Sequence, residues 1–169
     1  MKKAVIIIIC ILLGIVTFEM IYPRVAYKME YKSANTSIYV EYKEVTNYTK
    51  QEVKSKLEEL LGLSCYFYQE KDLGEEISGV SYLMFRFIII EKDLNINDYI
   101  EVLCHEMIHL KYNTLNERFT QYKTFEVLYN SEFNQVALNI AYNMKHGIYP
   151  YEYDCYAYIV EYLKQVQFI

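Results

Sequence analysis

His105-Glu106-Met107-Ile108-His109 is the part of this chain whose side chains are best suited to chemistry. Imidazoles four residues apart lie about 40° apart around a helix axis, so both can reach one cation while Glu106 stands on its open side. Such a set suits hydrolysis, with a metal activating water and a carboxylate moving its proton. The neighbours Val102, Leu103, Met107, Ile108 and Leu110 are apolar and predict a buried helix. Two histidines and a glutamate are costly to bury among aliphatics without a partner, and a cation is one. Lys111 departs from the apolar pattern and is expected to snorkel outward.

A hydrolytic zinc takes three protein ligands and leaves a fourth position to water. Tyr112-Asn113-Thr114 reads as a tight break between two helices, with His109 before it and Glu117 after it. At about 1.5 Å rise per residue, both side chains stand about 4.5 Å from the turn of an antiparallel helix hairpin and can meet over one ion. Glu126 is the rival ligand. In that hairpin it lies about 18 Å from the turn, against about 7.5 Å for the midpoint of the histidines, so it requires residues 113–122 to form a loop. Asp154 and His146 are further alternatives. Thr114-x-x-Glu117 is also a capping-box pattern, which would give Glu117 a purely local role.

His105, Glu106 and His109 resemble the active-site helix of the zincins, a clan of zinc metallopeptidases. Asn116-Glu117-Arg118-Phe119-Thr120 is similar to the N-E-x-x-S/T segment that carries the glutamate ligand in their thermolysin-like, gluzincin branch. The spacer before Glu117 is shorter than is common there. The resemblance implies a zinc metalloendopeptidase acting on peptide or protein substrates, with Zn2+ held by His105, His109 and Glu117 and with Glu106 as general base. It implies an α+β fold, in which a small mixed β-sheet packs on the H-E-x-x-H helix and a helical C-terminal half follows. An oxyanion donor is expected from Tyr153, Tyr156 or His146, and Thr120 and Asp154 are candidates to support the ligands from behind. Two other classes compete. One is a membrane-tethered, non-catalytic binding protein whose zinc is closed by Cys104 or Cys155; the other is an immunity or signalling protein that binds no metal.

Several elements must position these residues. Ser37 to Val45 alternates and reads as a strand with Ile38, Val40 and Tyr42 on one face. Thr49-x-x-Glu52 opens a helix whose stripe is Val53, Leu57, Leu60 and Leu61 and whose end is Gly62. Short and long strands follow at Cys65 to Gln69 and Val80 to Glu91, with Leu83 to Glu91 as the edge expected to line the cleft and pair with extended substrate. Asn97-Asp98 is expected to cap the metal helix. Three helices complete the chain: Leu115 to Tyr129, one capped by Ser131 that stops at Gly147, and Tyr153 to Val166 after Pro150.

The chain has 169 residues, room for one domain once the N-terminal segment is set aside. Lys2-Lys3, then Ala4 to Phe18 without a charge, predict a signal segment or membrane anchor over residues 1–23, with a tether at 24–36 and the domain at 37–169. No small-x-small cleavage site follows, which favours a retained anchor, and the two lysines place the N-terminus in the cytoplasm with the domain outside. Cleavage would instead give a secreted protein. A net charge of −5 with dispersed basic residues excludes an electrostatic footprint for nucleic acid. Cys65, Cys104 and Cys155 make an odd set beyond the apolar segment, which allows one disulfide, Cys65 with Cys155, that nothing in the sequence supports. The 20 tyrosines indicate no function.

Overall fold

A computed structural model describes residues 38–74 and 77–166, together with Met29, Lys32 and Ala34. The expected anchor and most of the tether lie outside the described residues, and no described helix is long and apolar enough to cross a membrane. Among the described residues the architecture is mixed α/β, a small three-stranded mixed sheet with five α-helices.

Helix α1 (Lys50–Leu61) starts and stops where its local chemistry dictates. Thr49 and Glu52 form a reciprocal capping box, and Gly62, in the left-handed conformation at φ 59°, donates its N–H to carbonyls of the last turn. Val53, Leu57 and Leu61 are buried on one face, whereas Leu60, expected in that stripe, is exposed. Strand β1 (Phe67–Lys71) pairs in parallel with β3 (Phe87–Glu91), and β2 (Gly79–Tyr82) pairs antiparallel with β3, in the order β1-β3-β2. Ile88 and Ile90 of β3 are fully buried, facing the helices.

The long strand expected from Val80 to Glu91 is therefore a hairpin. A 3-10 turn at Leu83–Phe85, ended by Arg86 with φ 47°, reverses the chain and sends β3 back between its neighbours. Leu83 to Glu91 is consequently not the edge of the sheet. The edges are β1 and β2, and β2 is the one beside α2.

Residues 38–45 are extended but join no sheet. Ile38 and Val40 are buried as the alternation requires, yet the backbone is held by helix side chains. Lys43 exchanges hydrogen bonds with the Asn139 amide (3.0 and 2.7 Å), Val45 N–H donates to Asn97 Oδ1 (3.0 Å), and Ile38 N–H donates to the Tyr156 hydroxyl (3.2 Å). Side-chain amides thus satisfy the donors and acceptors that a neighbouring strand would otherwise take. Asn97 is accordingly occupied, and Asn95 caps α2 (Ile96–Tyr112) by accepting from Asp98 N–H (3.0 Å).

Helix α2 is the central element, touching α1, β2, β3 and the next two helices. It is buried on nearly every side from Leu103 to Leu110, including His105, Glu106 and His109. Beyond it come α3 (Glu117–Tyr129), α4 (Asn134–Lys145), a 3-10 turn at Tyr151–Tyr153, and α5 (Tyr156–Gln165). Cys65, Cys104 and Cys155 are all free thiols, Cys65 exposed and the other two buried, so the Cys65–Cys155 disulfide is absent.

Candidate metal centre

The turn between α2 and α3 brings the site together. Asn113 ends α2 in the left-handed conformation, φ 48°, and both its N–H and that of Thr114 return to the His109 carbonyl. This reversal aims the Thr114 carbonyl at His109 Nδ1, 2.7 Å away. Asn116 then caps α3 by accepting from Phe119 N–H (2.8 Å), which makes Glu117 the first residue of that helix. The Thr114–Glu117 capping box does not form.

Glu117 instead faces back to α2. Its Oε2 lies 3.0 Å from His105 Nε2 and 3.2 Å from His109 Nε2, and the two Nε2 atoms are 3.0 Å apart. Each Nδ1 points the other way, that of His105 to Gln121 Oε1 (2.7 Å) and that of His109 to the Thr114 carbonyl. With acceptors at both Nδ1 positions, neutral rings carry their protons there and leave both Nε2 lone pairs bare. Three electron-rich atoms then meet at hydrogen-bond distance in a buried place. A proton or a cation must lie among them. His105, His109 and Glu117 are the group that could hold a metal ion.

The electrostatics agree. For His109, burial works against the charged ring, but the hydrogen bond to Glu117, the Glu106 and Glu117 charges and the Thr114 carbonyl outweigh it and raise its pKa. For Glu117, burial again opposes charge, and the hydrogen bonds from His105 and His109 win, lowering the carboxyl to about 2.

Glu106 is buried beside the cluster and its carboxylate shares no hydrogen bond with a described residue. It opens into a cleft of about 330 Å³ whose walls include Gly79, Val102, His105 and Tyr153. β2 reaches Glu106 through Gly79. A Cβ there would stand 2.6 Å from Val102 Cγ1 and 3.0 Å from Glu106 Cγ, so only glycine permits the approach. The bond from Glu91 N–H to the Ser78 carbonyl (2.9 Å) makes that a directly bonded pair, which in an antiparallel ladder turns the backbone groups of Gly79 and Ser81 to the free edge.

Other expected residues are sorted by the fold. Tyr153 lines the cleft with its ring centroid 5.6 Å from that of His105, and burial, followed by the Glu117 and Glu106 charges, pushes its pKa to about 12. Tyr156 is held at Ile38, and His146 is exposed against Tyr142, away from the cleft. Glu126 pairs with Lys123 and lies about 14 Å further along α3 than Glu117. Asp154 accepts at Oδ1 from Tyr156 N–H (3.0 Å) and takes no part in the cluster. Thr120 is fully buried with Oγ1 3.4 Å from His109 Nδ1, beside a ligand candidate. Burial raises the Cys104 thiol, and neither Cys104 nor Cys155 joins the three ligand atoms.

Three contributors went unread in the sequence. Gln121 contacts His105; Glu101 accepts from Gln121; Arg118 donates to the carbonyls of Asp154 (2.7 Å) and Tyr151 (2.9 Å), holding the turn that carries Tyr153. Helical spacing was the available signal for two of them. Glu101 precedes His105 by four residues and Gln121 follows Glu117 by four, placing each on its ligand's face.

Comparison with known protein families, curated proteins and solved structures finds no match. The reading of this centre therefore rests on its own geometry.

Proposed function

We propose that this chain is a zinc metallopeptidase of zincin-like, gluzincin-like design. The observation that carries the reading is the convergence of His105 Nε2, His109 Nε2 and Glu117 Oε2 at 3.0–3.2 Å, with Glu106 beside them in the cleft. Ligand atoms about 2.0–2.1 Å from a tetrahedral zinc stand about 3.3 Å apart, close to the spacing found. Zn2+, when bound, supplies Lewis acidity and brings the pKa of a water in its open position to about 7.

The rest is work for the chain itself. Glu106 takes a proton from the attacking water as its oxygen bonds to the scissile carbonyl carbon, then delivers that proton to the departing amine as the C–N bond breaks. Tyr153 stays protonated at neutral pH and donates its O–H to the oxyanion that forms. An extended peptide pairs with the backbone groups of Gly79 and Ser81 along the free edge of β2, which sets the scissile bond beside Glu106. Arg118 holds the Tyr153 turn in register.

A non-catalytic zinc site would close with a fourth protein ligand, and among the described residues none joins the three. A structural site also has no use for a carboxylate such as Glu106 facing a cleft. The apolar N-terminal segment, as read from the sequence, would tether this activity to a membrane with the domain outside.

Metal analysis and a mixed-peptide digest test the assignment. The full-length chain is expected to bind about one zinc and to cleave peptides. Glu106→Gln is expected to keep the zinc and lose cleavage. A zinc-replete protein that holds no metal, or undiminished cleavage by Glu106→Gln, would reject it.

A further inference from the structure

The two candidate ligands have their orientation set in different ways. His109 Nδ1 meets a backbone carbonyl, that of Thr114, which can only accept a hydrogen bond. His105 Nδ1 meets the side-chain amide of Gln121, at 2.7 Å. An amide offers an oxygen on one side and an NH2 on the other, and a half-turn of its terminal torsion exchanges them. With oxygen toward His105 the ring carries its proton on Nδ1 and bares Nε2 to the cluster. With NH2 toward His105 the proton must sit on Nε2, where it blocks the lone pair that a metal needs.

Glu101 removes that ambiguity. Its Oε1 accepts from Gln121 Nε2 at 2.8 Å and from the Tyr149 hydroxyl at 2.5 Å. That oxygen accepts from both whether or not Glu101 holds a proton on its other oxygen. With Glu101 ionised, a flipped Gln121 would set two acceptor oxygens against each other in a buried place, leaving both unsatisfied.

We infer that Glu101 is a positioning residue for the metal centre, locking the Gln121 amide so that His105 is held as the Nδ1–H tautomer with Nε2 free to ligate. The inference rests on the metal-site reading, but the tautomer can be observed without any metal. The relay runs from Tyr149, beyond α4, through Glu101 on α2 to Gln121 on α3. It ties the His105 ring state to the mutual placement of α2, α3 and the segment that carries Tyr149.

The test uses the full-length chain. Long-range 1H–15N correlation on chelator-treated protein reports the His105 tautomer, and titration with Zn2+ reports affinity. Wild type is expected to show His105 protonated at Nδ1. Glu101→Met is expected to admit the Nε2–H tautomer and to raise the zinc dissociation constant about 10–100-fold, the range for loss of such supporting partners. Glu101→Gln, which can still present an oxygen to both donors, is expected to keep the wild-type tautomer and affinity.

Should Glu101→Met fail to fold, the exchanged pair decides. Gln121→Glu alone opposes two carboxyl groups, and adding Glu101→Gln restores a donor facing an acceptor, so the second change must recover the stability and affinity lost in the first. A folded Glu101→Met protein with unaltered tautomer and affinity, or an exchanged pair in which Glu101→Gln recovers nothing, would overturn the proposal. A wild type with the expected tautomer but no zinc affinity would instead sink the metal-site reading alone.

Discussion

Glu117 and Glu126 compete for one role, and only Glu117 reaches both imidazoles. Zinc analysis should find Glu117→Ala depleted and Glu126→Ala fully loaded; the reverse would mean that the hairpin places the wrong carboxylate. Protons and metal compete for the same lone pairs, which gives the site a pH signature. Because the folded pKa of His109 is raised, its contribution to the metal-free fold is complete below the unfolded value, about 6.5, and fades as pH rises through the raised value. Glu117 has the opposite sign: held down to about 2, it stabilises above the ordinary carboxylate range and loses that effect as pH falls toward 2. A zinc held as proposed needs the bare His109 nitrogen, so its affinity is expected to strengthen across the range in which the metal-free protein weakens. The gap in Tm between zinc-loaded and metal-free protein should therefore widen as pH rises above about 6.5. A gap that stays constant or narrows would show that His109 is not the proton-linked ligand.

At the scale of elements, the contact between β2 and α2 depends on one missing side chain. Gly79→Ala places a methyl 2.6 Å from Val102 Cγ1, so strand and helix must part. The expected cost is about 1–3 kcal/mol in chemical denaturation, with a larger loss in cleavage rate than in zinc content because Glu106 is displaced and the ligands are not. Arg118→Ala should spare zinc binding and lower kcat, since what it releases is the Tyr151–Asp154 turn that carries Tyr153. Single-turnover cleavage rates against metal content would separate the two effects.

These elements also show where a sequence is readable. Helix α1 announces itself because Thr49, Glu52 and Gly62 act on their own neighbours. The hairpin of β2 and β3 hides within an apolar run, since Arg86 takes the left-handed turn position without a glycine or asparagine to mark it. Residues 38–45 alternate like a strand because one face is buried, but alternation does not reveal whether the backbone meets another strand or, as here, the amides of Asn97 and Asn139.

For the molecule as a whole, the candidate centre sits in the helix that packs against α1, β2, β3, α3 and α4, so metal occupancy and folding are expected to be linked. A ligand that binds only the folded chain at 100 times its dissociation constant adds about 2.7 kcal/mol. Thermal unfolding should accordingly rise with added zinc and fall reversibly with a chelator. A Tm indifferent to both would contradict a site shared between α2 and α3.

Residues 105–109 specified, through spacing and apolar surroundings alone, that two imidazoles and a carboxylate would share one buried helix, because helical periodicity is a local property. The break at Tyr112–Thr114 likewise made Glu117 a ligand candidate by short-range geometry. Tertiary packing alone decided which edge strand borders the cleft, which tyrosine overlooks it, and that Gln121 and Glu101 stand behind His105. Those relations join residues on separate elements, and their distances follow from how the helices and sheet settle against one another.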